Sequence, residues 1–181
     1  IEACIVNSKK SEIFLTIFNK KFSLKSRESK KKTINFIKKY CKNVNVNKKD
    51  EIIKELIKKT YLNPKIKYSK NYKIASWSQI RILLKNKLFE IGGHSLNHDI
   101  LTKMSKKQIN YEIAETIKII MNKTSHKVKH FSYPEGMYNV QTIKALKKNK
   151  ILTCPIAKGS INTHYTSCFK INRIMVGFKD T

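Results

Sequence analysis

The chain has 181 residues, 40% of them hydrophobic, with aromatic residues recurring from Phe14 to Phe178, which suits one folded domain and excludes a disordered tail. Its formal charge of +27 is extreme, yet the excess is spread: 17 Lys and Arg against 6 Asp and Glu over residues 1–60, and 22 against 6 over residues 61–181. Only three of the 39 basic residues are Arg, the side chain suited to bidentate reading of phosphates and base edges, so nucleic acid is not the expected partner and a coding bias toward Lys and Asn accounts for the charge.

In chain order, IEACIV (1–6) is a short apolar run that reads as a buried strand. Over residues 11–62 the apolar positions recur at helical spacing. Ile34, Ile37 and Cys41 share one face, as do Ile52, Ile53, Leu56 and Ile57, with lysines opposite. The segment 11–70 is therefore expected to be a Lys-rich helical insertion beside the core, leaving through the loop NPKIKYSKNYK (63–73). No run approaches the roughly 18 to 20 apolar residues that a membrane span requires. Residue 1 is Ile rather than Met, so a leader or anchor can precede it.

From Ser76 the order becomes regular. Ser76 caps a predicted helix through Lys87 whose apolar side is Trp77, Ile80, Leu83 and Leu84. LFEI (88–91) reads as a strand ending at Gly92 and Gly93. Ser105 caps a helix to about Asn122, with Ile109, Ile113, Ile117 and Ile120 in register. KHFSY (129–133) is the next strand, 139–149 a helix, ILTCPIA (151–157) a strand and FKINRIMV (169–176) the last. Such alternation implies parallel strands joined by crossover helices, in an open sheet or a barrel. Cys4, Cys41, Cys154 and Cys168 form no C-x-x-C pair, so free thiols are expected and neither a zinc knuckle nor a redox motif is supported.

Two loops carry the chemistry. GGHSLNHD (92–99) sets two imidazoles four residues apart directly after a predicted strand, and His94 and His98 can converge on one ion if Leu96 lies in a helical turn. SYPEG (132–136) follows the next strand in the same manner, with Pro134 and Gly136 fixing a tight turn. In parallel α/β folds the working site lies at the C-terminal strand ends, where both loops fall. Each alone also reads as an ordinary loop.

Together, in this order and separated by one amphipathic helix, FEIGGHSLNHDIL and FSYPEGMYN resemble the polysaccharide deacetylase (NodB-homology) family of carbohydrate esterases, in the branch with an F-A-Y-P-Y-G loop. Trp77 to Ile80 and the INRIMV ending also fit that branch, and the likeness covers residues 72–176. It implies a distorted (β/α) barrel, N-terminally incomplete here, in a single domain over 1–181 that acts on an acetylated glycan. It also implies a divalent ion, zinc first, held by an aspartate and two histidines, with His94 and His98 in the histidine positions. By the same likeness the backbone N–H of Glu135 serves the oxyanion, and Tyr133, Pro134 and Gly136 shape the substrate pocket. The sequence departs from the pattern in three ways. Its only aspartates are Asp50, Asp99 and Asp180, so the family's Asp-Asp pair is absent from these residues; Ser132 stands where many members carry Arg, a role open to Arg173; and His164 is only a candidate for the C-terminal histidine. Hydrolytic deacetylation, a catalytically incomplete remnant and a basic binding module for nucleic acid or anionic glycan are the readings left open.

Overall fold

The computed structural model describes residues 1–61 and 74–174; the expected loop at 63–73 and the end of the last predicted strand lie outside them. The chain divides into two compact units, Ile1–Lys73 and Ile74–Thr181.

The first unit opens with helix α1 (Glu2–Val6), where a strand was expected. Ile1, Cys4 and Ile5 recur at spacings of three and four, and Cys4 and Ile5 are the residues α1 buries, so helical periodicity prevails in a run too short to separate the two readings. The opposite correction follows. Glu12–Leu15 (β1) and Lys20–Ser23 (β2) pair antiparallel inside the segment expected to be helical. Buried Ile13 and Leu15 alternate with exposed Glu12 and Phe14, and Asn19 takes the left-handed conformation (φ 45°) that closes the turn.

Helices α2 (Arg27–Cys41) and α3 (Val46–Thr60) form as expected, each from a side-chain cap: Ser26 accepts the N–H of Ser29, and Asn45 that of Lys48. Their apolar faces meet the hairpin in one core of Ile34, Ile37, Ile52, Leu56, Ile13 and Phe22. Each such side chain contributes about 1.5–3 kcal/mol on full burial. Glu55 of α3 accepts the backbone N–H groups of Thr16 and Ile17 in the hairpin turn. Burial pushes its pKa up, but those hydrogen bonds outweigh burial and hold the carboxyl below its ordinary value.

In the second unit, α4 (Trp77–Leu83), α5 (Lys106–Thr124) and α6 (Val140–Lys148) lie where the sequence places helices, each behind a reciprocal cap: Ser76 with Gln79, Ser105 with Gln108, Asn139 with Thr142. The strands are much shorter than expected. LFEI is not a strand: Asn86 accepts the N–H groups of Leu88 and Phe89 in a turn, leaving these side chains 87% and 50% exposed. Pairing starts instead at Gly93, bridged in parallel to Phe131, and continues from His130 to Thr153. Pro155–Ile156 (β3) then pairs in parallel with Ile171–Asn172 (β4). The parallel alternation is thus present, but the described residues form a short open α/β layer and not a closed barrel, since these few paired segments cannot close on themselves. Phe131, Tyr133 and Cys154 from the layer pack with Ile109, Ile113 and Leu146 of α5 and α6.

Candidate functional site

Gly93 and Phe131 bring the two special loops to one end of neighbouring parallel segments. The N–H of Gly93 donates to the carbonyl of His130 at 2.8 Å, and that of Ser132 to the carbonyl of Gly93 at 2.8 Å. A side chain at Gly93 would put its Cβ 2.6 Å from Phe131 Cδ2, so the close approach requires glycine there. The next residues on each strand, His94 and the Ser132–Gly136 turn, therefore emerge side by side.

The imidazoles of His94 and His98 lie with ring centroids 4.8 Å apart, crossed at 78°. Two rings sharing one ion at about 2.0–2.1 Å sit about 5 Å apart, so the pair has the separation a common ligand requires. They do not converge through the helical turn expected at Leu96. Ser95 (φ 61°) and His98 (φ 56°) both take the left-handed conformation and fold the loop back on itself. His94 Nδ1 is 2.7 Å from the carbonyl of Ser132. A carbonyl only accepts, so the proton of the neutral ring sits on Nδ1 and the lone pair on Nε2, where a metal or a substrate proton can be met.

The loop is held from below by Glu112 of α5, which is only 5% exposed. Its carboxylate accepts the backbone N–H of Leu96 at 2.8 Å, that of Asn97 at 3.3 Å and the Asn97 side-chain amide at 2.9 Å. The sequence reading passed over Glu112. The signal was available: it lies three residues after Ile109 and one before Ile113, on the face α5 buries, where a carboxylate needs donors. Asp99 is turned into the protein while both histidines are exposed.

Tyr133 is fully buried, donates its hydroxyl to the carbonyl of Phe169 at 3.0 Å and packs against Tyr138. Burial, with Cys154 beside it, pushes its pKa far up, so the hydroxyl stays neutral. Pro134 is buried too, and Gly136 (φ +69°) lies where a Cβ would meet Ala157 at 2.8 Å. The turn is thereby pinned to the layer, with Glu135 (φ 55°) at its exposed apex. Arg173 donates from Nε to the carbonyl of Ile156 at 3.2 Å, which anchors its guanidinium just past β4. His164 is exposed and lies against Tyr165.

Residues 52–153, more than half of the chain, match the polysaccharide deacetylase family. The chain belongs to that family. Its fold is similar to the Streptococcus pyogenes deacetylase PplD (TM-score 0.55, 16% identity, 59% of this chain and 47% of that one). It is similar also to the BpsB deacetylase domain from Bordetella bronchiseptica (TM-score 0.53, 16% identity, 64% and 53%) and to IcaB from Ammonifex degensii (TM-score 0.52, 17% identity, 63% and 53%). The chain spans about half the length of these structures. No curated protein matches it.

Polysaccharide deacetylases of this type generally use a divalent metal. Among the described residues no third His, Cys, Asp or Glu joins His94 and His98 in a group that could hold one. Catalytic zinc draws three ligands from protein, so the pair fits as two of them and the described residues do not complete the set.

Proposed function

We propose that this deacetylase-family chain carries the histidine half of a metal-dependent site, zinc first, that hydrolyses N-acetyl groups (O-acetyl groups being the secondary reading) on a cell-envelope polysaccharide or its precursor. The observation that supports it most is the His94–His98 pair beside the Tyr-Pro-x-Gly turn, with His94 Nδ1 bound to the Ser132 carbonyl so that Nε2 faces outward. When bound, such an ion polarises the acetyl carbonyl and acidifies water. The residues of this chain shape and support the surroundings of that ion. Glu112 keeps the histidine loop folded, the buried Tyr133 and Pro134 fix the turn, and the apical backbone at Glu135 offers an N–H to the oxyanion. Arg173, anchored past the neighbouring strand end, is the cation available to orient a carboxylate base. The third ligand and the base lie, on this proposal, in an Asp-Asp pair outside residues 1–181.

The donor set, incomplete among the described residues, also favours a second reading, a remnant that keeps the fold without catalysis. Acetate release from N-acetylated oligosaccharides with added zinc separates them. A chain extended upstream through adjacent aspartates is expected to release acetate and to lose about hundredfold or more on His94→Ala or His98→Ala. Residues 1–181 alone are expected to release none. Zinc-dependent release by the 181-residue chain that survives both substitutions would overturn the assignment, and silence from the extended chain would establish the remnant.

A further inference from the structure

The first unit contains a cleft of about 930 Å³, formed between the α1–β1 connection and the start of α2. Lys9, Lys10, Lys25, Arg27, Lys30 and Lys31 line it, against a single acid, Glu2. Glu2 is committed to Lys38, which lies outside the cleft. Two of the six cations are held by the protein itself. Lys30 donates to the carbonyls of Val6 and Ser8 at 2.9 and 3.0 Å, and Lys10 lies over the Tyr61 ring at 4.2 Å. The other four, Lys9, Lys25, Arg27 and Lys31, are exposed, and among the described residues no carboxylate is placed against them. Like charges that line one cleft repel one another, and an anion bound there relieves that repulsion while gaining charge-assisted hydrogen bonds. The N-terminal end of α2 opens on the same cleft and adds the same sign.

The cleft is far larger than a phosphate. It has the size of small-molecule sites, and it carries apolar wall from Val6, Leu24 and Ile34 beside the hydroxyls of Ser8, Ser11 and Ser26. Apolar C–H faces next to hydroxyl partners suit a sugar ring. No aromatic side chain lines the cleft, and it has one Arg, so neither base stacking nor base-edge reading is provided for. We infer that this cleft binds a phosphate-bearing sugar unit of an anionic glycan. The phosphate half stands on the cleft alone, and the glycan half rests on the deacetylase reading.

The test is calorimetric titration of the full chain, at fixed ionic strength, with N-acetylglucosamine 1-phosphate, inorganic phosphate and neutral N-acetylglucosamine. The sugar phosphate is expected to bind at least about tenfold more tightly than either of the others. Lys25→Ala/Arg27→Ala/Lys31→Ala should weaken it by about tenfold or more, while Lys39→Ala/Lys54→Ala/Lys58→Ala, which removes equal charge from exposed sites outside the cleft, should leave it unchanged. In the unaltered chain the amide signals of Leu24, Ser26 and Ile34 should shift on titration. Equal weakening by both triple variants would reduce the effect to bulk charge and overturn the site. Equal affinity for inorganic phosphate would overturn the glycan, and so would tighter binding of a single-stranded oligonucleotide. Because the readout is binding and not acetate release, failure here is distinguishable from failure of the deacetylase proposal.

Discussion

His94 takes its orientation from a main-chain carbonyl on the neighbouring strand, and His98 takes its place from a carboxylate on a helix. Neither partner is written in the His-x-x-x-His spacing. That spacing, and the SYPEG loop after the next strand, were legible because glycine, proline and histidine are rare residues with local meaning. Glu112 was legible only through its register with Ile109 and Ile113, because one carboxylate in a lysine-rich amphipathic helix otherwise reads as part of a solvated face. Its consequence can be measured. Glu112→Gln keeps the shape, but with its oxygen on the N–H groups of Leu96 and Asn97 its NH2 faces the donating Asn97 side-chain amide, and it should cost about 1–3 kcal/mol of stability. The same change should weaken zinc binding by about 10- to 100-fold in a chain that binds the metal, because outer partners orient the ligands. Denaturant unfolding and a zinc titration check the two; undisturbed zinc affinity would show that the loop holds its form without Glu112.

At the level of elements, the long helices were legible because each joins an apolar stripe to a capping residue, both of them local signals. The strands were not. Only one or two residues of each pair in the second unit, and what selects them is a nonlocal partner: Gly93 is a strand residue because Phe131 lies beside it, whereas Leu88 and Phe89, with better strand composition, are diverted by Asn86. The N-terminal run and the hairpin were exchanged for the related reason that short apolar runs fit either period. The Tyr-Pro-x-Gly turn is where backbone conformation decides most. Gly136→Ala must place a Cβ at φ +69° and 2.8 Å from Ala157, so it should destabilise the protein by about 1–3 kcal/mol. Gly159→Ala, with nothing within 4 Å of the added Cβ, should lie within about 0.5 kcal/mol of the parent. Chemical denaturation of the two variants compares them directly, and equal stability would mean that the turn is not pinned.

For the whole molecule the governing fact is charge. At +27 the chain already repels itself, and acidification removes the only opposing charge, that of its 12 Asp and Glu. These acids do not respond alike. Glu2 is lowered by its hydrogen bond and attraction to Lys38, at the surface where salt screens it. Glu55 is lowered, against burial, by backbone N–H groups at short range, which salt barely reaches. A carboxyl whose folded pKa is depressed contributes stability that is fully present above its unfolded value, about 4.3, and is lost as pH falls through the folded value. Unfolding of the first unit should therefore become easier below about pH 4.3 in two separable parts. Raising NaCl from about 0.05 to 0.5 M should recover the part due to general repulsion and screen away the Glu2–Lys38 attraction, so that Glu2 drops out of the acid slope, while the part due to Glu55 persists. Glu55→Gln should cost about 1 kcal/mol at neutral pH, a low figure for a charged acceptor because the carboxylate is half-buried, and should flatten the remaining acid slope at high salt. Thermal melts of parent and variant at both salt concentrations between pH 7 and 3 measure this. An acid slope in the parent that high salt removes completely would show that Glu55 adds nothing beyond surface charge.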